Sequence, residues 1–415
     1  MAAYRLHCAL INAGIESCMI VRHKSSNDDT VFELSEFSWA ERLNKILCHF
    51  FHMAVRRIFR QSAIFSTEFF GAPSRVLIKA LGSPDIIHLH WTQRFLTAKN
   101  IRAIADATGT PILWSPLDLA PMTGGCHYSG DCEGYTRACG RCPQLRSLFS
   151  RDLSSLDFNL KKQYLTGMNI TIVSPTSWVE QRAHRSSIFK SFQGSLIPLA
   201  VDDILFSPKD KSVARQELGL SPDTYRGKTV FFFGANSILA ERKGFSYLEA
   251  ALNKAKKDNP LDNRILLLVA GGDAEQVTKR LPYPAVSLGF IADDKVLALA
   301  YQAADCFICP TTDDAGPMMI VESMLCGTPV LAFNTGGAPD LIETGRSGYL
   351  AKSQDANDLA VGINYFTGDQ VNVADMSAEC RRRAQKRHSP NLVAIRITDL
   401  YRKIATGSNP RGAIR

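Results

Sequence analysis

Asp313-Asp314-Ala315-Gly316-Pro317-Met318-Met319-Ile320-Val321-Glu322-Ser323-Met324-Leu325-Cys326-Gly327-Thr328-Pro329-Val330 is the stretch that decides the fold. Ahead of it, Asp305-Cys306-Phe307-Ile308-Cys309 reads as a short apolar strand running into an acidic turn. Gly316-Pro317 opens a helix, with proline where the missing N–H costs nothing. Gly327 ends that helix, and Thr328-Pro329 leads into the strand Val330-Leu331-Ala332-Phe333. A helix N-terminus at the carboxyl end of a strand is an anion site made of backbone N–H groups and the helix dipole. Asp314 before the helix and Glu322 within it are eight positions apart. They are placed to flank a phosphate and accept hydrogen bonds from sugar hydroxyls, which suits a nucleotide sugar.

Outward from this stretch, short apolar runs alternate with helical ones. Val230–Phe233 precedes a helix whose Phe245, Leu248 and Leu252 share one face, and Ile265–Val269 precedes Gly271-Gly272. Val286–Leu288 and a helix over Asp293–Ala303 complete the series. Continuous apolar, often β-branched strands between helices predict a parallel sheet covered on both faces. The first half shows the same alternation at Asp85–His90, Pro111–Trp114 and Asn169–Val173. A hinge near Ile197–Asp202 separates the halves, giving expected domains 1–200 and 201–385, with 386–415 as a closing helical segment. Met1–Leu10 reads as a helix already under way, with Glu16–Val21 the strand after it.

At 415 residues the chain suits two domains. With 45% hydrophobic and 21% charged residues it is an ordinary globular composition. No apolar run approaches the roughly 18 residues that span a bilayer, and Met1–Gly14 lacks the apolar core of a signal peptide. A cytoplasmic protein is expected. The net charge of +8 fits an anionic membrane surface or a phosphorylated ligand. No aromatic-interleaved basic motif supports nucleic-acid binding.

The Asp313–Val330 stretch resembles the donor-binding signature of the GT4-like (glycosyltransferase family 4, group 1) retaining GT-B glycosyltransferases. The first acidic position, usually Glu in that family, is Asp314 here. The resemblance implies two Rossmann-like parallel-sheet domains facing a cleft, with a final helix crossing back to the first. Relatives begin with a strand and a Gly-rich loop ahead of the first helix, so the N-terminal domain is expected to lack its first strand. Lys243-Gly244 matches the family's Lys-Gly; the family's arginine after the strand glycine is absent, since Ala235-Asn236 follows Gly234, and Arg242 is the substitute. By this resemblance Glu322 takes the ribose hydroxyls and Asp314 a hydroxyl of the transferred sugar. Gly316, Pro317 and Met318 bring backbone to the phosphates, Gly234 and Asn236 close the loop, and the segment around Leu288 meets the base. Lys243 and Arg242 stabilise the leaving diphosphate, so no metal or cofactor is required for catalysis. Where relatives show His-Asp this chain has Leu117-Asp118; His127 is the nearest replacement, and Asp118 orients the acceptor.

Cys126, Cys132, Cys139 and Cys142 form a C-x5-C-x6-C-x2-C cluster in an insertion over 123–143. Its final C-x2-C resembles a zinc knuckle while the C-x5-C half is not a standard spacing, and a structural zinc site or two pairs that pack or bridge are the two readings. Residues 37–60 read as a basic amphipathic helix that lies on anionic lipid, or simply covers the first domain. The combination resembles enzymes of bacterial exopolysaccharide and O-antigen synthesis. It implies a UDP- or GDP-sugar donor, a lipid-linked glycan acceptor and peripheral contact with the inner membrane. The rival reading is a degenerate, non-catalytic GT-B protein that binds a sugar nucleotide or a partner enzyme.

Overall fold

The computed structural model describes residues 1–34, 65–259, 263–316, 318–368 and 373–408. The expected amphipathic helix over 37–60 and Pro317 lie outside the described residues. The chain divides into two compact units, Met1–Pro198 with Val393–Arg415, and Leu199–Leu392.

In the first unit α1 (Ala2–Asn12), β1 (Met19–Val21) and β2 (Val31–Glu33) come first. They are followed by α2 (Ser74–Leu81), β3 (Ile87–Leu89), α3 (Ala98–Thr108) and β4 (Ile112–Trp114). A long irregular segment then leads to α4 (Leu153–Leu165), β5 (Ile170–Ser174), α5 (Ser177–Arg185) and β6 (Gln193–Leu196). β3, β4, β5 and β6 form one parallel sheet in that order, and β1 pairs in parallel with β2 in a separate two-stranded sheet. Among the described residues no strand joins the two.

The second unit holds α6 (Lys211–Glu217), α7 (Pro222–Tyr225), β7 (Thr229–Gly234), α8 (Phe245–Asp258), β8 (Ile265–Ala270) and α9 (Ala274–Thr278). Then come β9 (Ala285–Gly289), α10 (Asp294–Ala303), β10 (Cys306–Cys309), α11 (Met318–Leu325), β11 (Val330–Phe333), β12 (Gly348–Ala351), α12 (Ala356–Thr367) and α13 (Val373–His388). Its six strands form a single parallel sheet in the order β12-β11-β10-β7-β8-β9. The apolar runs Val230–Phe233, Ile265–Val269, Cys306–Ile308 and Val330–Phe333 are all buried, as a sheet covered on both faces requires. A last helix, α14 (Pro390–Ser408), starts in the second unit and continues in the first.

β2, β6 and β12 were not legible as strands. β2 is only three residues long, the edge strand β6 is mostly exposed, and β12 opens on glycine. None carries the apolar run by which the buried strands announce themselves.

Candidate functional site

The acidic turn and the Lys-Gly turn meet at the carboxyl ends of adjacent strands, β7 and β10 being paired. After β7 the chain forms a 3-10 turn, Glu241–Lys243, ended by Gly244 at φ 71°. A Cβ on Gly244 would sit 1.8 Å from the Pro310 carbonyl oxygen, so only glycine lets this turn lie on the end of β10. The Thr312 N–H donates to the Arg242 carbonyl at 2.9 Å and ties the two loops together. Lys243 Nζ thereby stands 3.4 Å from Asp314 Oδ2, with each side chain only 19% exposed. The other Asp314 oxygen accepts the Gly316 N–H at 3.2 Å. Gly336, at φ 58°, packs its Cα against the Asp314 carbonyl, where a Cβ would be 2.4 Å away.

Glu322 lies one helix further in, on α11, and is buried. The Tyr301 hydroxyl donates to its Oε2 at 3.3 Å, and burial, then the charge of Glu322, pushes that hydroxyl well above its ordinary pKa. Met318 is half-buried in the first turn of the same helix, its N–H donating to the Gly316 carbonyl at 2.8 Å. Gly234 closes β7, and the Asn236 carbonyl accepts the Gly272 N–H at 3.3 Å. Leu288 packs on the core from β9. Thus Lys243, Arg242, Asp314 and Gly316 come together at one place, and Gly234 and Asn236 shape the neighbouring loop of the same sheet end.

Asp118 and His127 belong to the first unit, where they form a pair that the sequence did not announce. His127 Nδ1 is 2.7 Å from Asp118 Oδ2 and Nε2 is 2.7 Å from Ser66 Oγ, all three residues being buried. A carboxylate accepts, so Nδ1 donates to Asp118, and Nε2 shares a hydrogen bond with the Ser66 hydroxyl. Both ring nitrogens are therefore used inside the unit. Asp118 Oδ1 also accepts the Ala120 N–H at 2.9 Å, an intra-loop bond that fixes the carboxylate.

Lys161, on α4, holds this loop from below. Its buried ammonium donates to the carbonyls of Ala120 at 2.7 Å and Thr123 at 2.9 Å, and lies 3.8 Å from Glu68 Oε1. One turn earlier Asp157 is fully buried; its Oδ1 accepts the Glu68 N–H at 3.1 Å, and burial raises its pKa to about 7 against the opposing pull of Lys161. Sequence reasoning passed over Ser66, Glu68, Asp157 and Lys161. The Lys161–Asp157 spacing of one helical turn was the signal available.

Cys126, Cys132, Cys139 and Cys142 are all free thiols. Burial raises Cys126 and Cys139 to about 12, the Gly124 N–H opposing the rise at Cys139. Among the described residues no group of three or more His, Cys, Asp or Glu side chains is arranged to hold a metal ion. The four thiols are near neighbours, Cys139, Cys142 and Cys132 each adding to the rise at Cys126. The Gly124 N–H donates to Cys139 Sγ at 3.2 Å.

Two parallel-sheet α/β units of this design, the second with its cation and carboxylates at the strand ends, define the GT-B fold. The chain is similar over 98% of its length to sucrose-phosphate synthase from Thermosynechococcus elongatus, at a TM-score of 0.66 and 21% identity, covering 93% of that chain. It is also similar to HepE from Anabaena, solved with UDP and glucose, at a TM-score of 0.56 and 18% identity over 79% of this chain and 80% of that one. Residues 225–387, within the second unit, match the family described as glycosyl transferases group 1. Among curated proteins, the D-inositol 3-phosphate glycosyltransferase of Geodermatophilus obscurus is 31% identical over 180 residues, 40% of this chain and 39% of that protein. The like-named protein of Saccharomonospora viridis is 25% identical over 82% of this chain and 73% of its own length. The chain spans about two fifths of the length of the first curated relatives it matches, 39% and 42%.

Proposed function

We propose that the protein is a retaining glycosyltransferase that moves a sugar from a UDP- or GDP-linked donor held by the second unit. The observation that carries this reading is the Lys243–Asp314 pair, 3.4 Å apart, at the carboxyl ends of two adjacent strands. An ammonium there stabilises the charge that develops on a leaving diphosphate, with Arg242 beside it and the α11 N-terminus contributing backbone dipole. Asp314 takes a hydroxyl of the transferred sugar, and Glu322 the ribose. These residues supply the charge stabilisation that a divalent cation would otherwise give, so transfer is metal-independent in this reading. Front-side attack, with the leaving diphosphate accepting the acceptor's proton, retains the configuration. The acceptor in this reading is a lipid-linked glycan of bacterial surface-polysaccharide synthesis, reached at the inner face of the membrane from the cytoplasm. The Asp118–His127 loop of the first unit orients it.

A polyol phosphate acceptor is the second reading, favoured by the name of relatives that match 40% and 82% of the chain. The test is thermal stability with UDP, GDP and ADP, for the wild type and Glu322→Ala. A nucleotide at about a hundred times its Kd adds roughly 2.7 kcal/mol and raises Tm by a couple of degrees or more. A selective shift lost in the variant supports the donor site. No shift for any nucleotide refutes it and favours the non-catalytic reading. A transfer assay with the selected donor then separates the two acceptors.

A further inference from the structure

Among the large apolar side chains that the described residues expose, one pair is adjacent in sequence: Leu148, 88% exposed, and Phe149, 77%. They form the tip of a loop from Gly140 to Arg151 that contains three arginines and no acidic residue. Arg141, Arg146 and Arg151 are all exposed. Such a pair is costly in water unless something covers it.

The loop is built to hold that tip out. The Arg141 N–H donates to the Phe149 carbonyl at 2.9 Å, closing the neck, and the Ser147 N–H donates to the Cys142 carbonyl at 3.1 Å. Gly140, at φ 145°, lies where a Cβ would be 2.2 Å from the Ser150 carbonyl, so the two sides of the neck touch backbone to backbone. Asp152, next in the chain, accepts the Cys142 N–H at 2.8 Å through one oxygen and the Ser154 hydroxyl at 2.6 Å and Ser155 N–H at 3.1 Å through the other. Leu145 anchors the base in a small satellite core with Phe65 and Cys142. Arg141 and Arg146 occupy left-handed backbone, φ 48° and 50°, a conformation that costs a non-glycine residue about 1–2 kcal/mol. The loop keeps its shape against that cost.

We infer that this tip is a membrane-contact site: Leu148 and Phe149 enter the headgroup–acyl boundary of an anionic bilayer while Arg141, Arg146 and Arg151 meet its lipid phosphates. Charge complementarity selects the partner, since three cations around two apolar side chains match an anionic lipid surface. The inference stands on this loop alone and holds whichever sugar or acceptor the protein uses.

The test is co-sedimentation of the full chain with vesicles of phosphatidylcholine alone and of phosphatidylcholine mixed with phosphatidylglycerol. The wild type is expected to bind the anionic vesicles selectively. Leu148→Ser/Phe149→Ser is expected to weaken that binding at least about tenfold, through the lost apolar burial. Arg141→Asn/Arg146→Asn/Arg151→Gln, in which asparagine tolerates the left-handed backbone, is expected to flatten the dependence on phosphatidylglycerol. Tryptophan emission confirms that each variant is folded. Absence of wild-type binding overturns the inference, and so does unchanged binding by the serine variant, which would move the membrane contact to another segment. Self-association that the serine variant abolishes, without vesicle binding, would make the tip a contact between copies of the chain and equally overturn it.

Discussion

Replacing Asp157 by asparagine tests the buried charge cluster beneath the Asp118–His127 loop. In the folded chain burial carries this carboxyl from its ordinary 3.8 to about 7, with Lys161 and the Glu68 N–H opposing the rise and Glu68 adding to it. The folded state thus holds the proton more tightly than the unfolded state does. The stability linked to this group is complete below about pH 4 and is lost as pH rises through 7. Three units at about 1.4 kcal/mol each make the loss roughly 4 kcal/mol. Asparagine keeps an oxygen for the Glu68 N–H and has no proton to lose. The difference in unfolding free energy between variant and wild type should therefore swing by about 1.4 kcal/mol per pH unit between pH 5 and 7, in the variant's favour as pH rises. The assay is urea unfolding at half-unit pH steps, read by tryptophan emission. All four tryptophans, Trp39, Trp91, Trp114 and Trp178, belong to the first unit, so the signal reports that unit alone. Parallel pH profiles for the two proteins would refute the reasoning and show Asp157 ionised at neutral pH, with Lys161 as its full counter-charge.

Two further expectations concern the second unit. Lys243→Ala should reduce turnover by about a hundredfold or more, with a smaller change in KM, because the ammonium acts most on charge that develops in the transition state; a larger effect on KM than on turnover would assign it to ground-state binding. Gly244→Ala forces a Cβ to within 1.8 Å of the Pro310 carbonyl in left-handed backbone, and should lower stability by more than about 2 kcal/mol, read as a lowered midpoint in thermal unfolding followed by circular dichroism; an unchanged midpoint would mean that the two turns do not press together as described.

The second unit was far more legible in the sequence than the first. Its strands are buried on both faces, so Val230–Phe233 and Ile265–Val269 appear as unbroken apolar runs that periodicity alone can find. Its site residues lie in turns whose chemistry is local: a glycine forced into left-handed backbone at 244, and an acidic turn running into a helix. What the spacing could not give was the approach of Lys243 to Asp314, which are 71 positions apart and meet because β7 pairs with β10. The first unit hid more. Ser66, Asp118 and His127 form one chain of hydrogen bonds across 61 positions, and Lys161 reaches the same loop from a helix of its own. No local pattern records such contacts. The four cysteines were visible as a spacing, and the fold brings them together as free thiols.

If the second unit holds a sugar-nucleotide donor as proposed, the Lys243–Asp314 ion pair sets the order in which ligands arrive. Each charge is the other's counter-ion in a corner where both side chains are only 19% exposed. A sugar without its diphosphate would have to prise the carboxylate from the ammonium before it could be gripped. A nucleotide diphosphate would do that work itself, drawing the ammonium onto its own oxygens and leaving the carboxylate for a hydroxyl. The two halves of one donor molecule would thus prepare each other's binding, and free sugar alone would be a poor occupant.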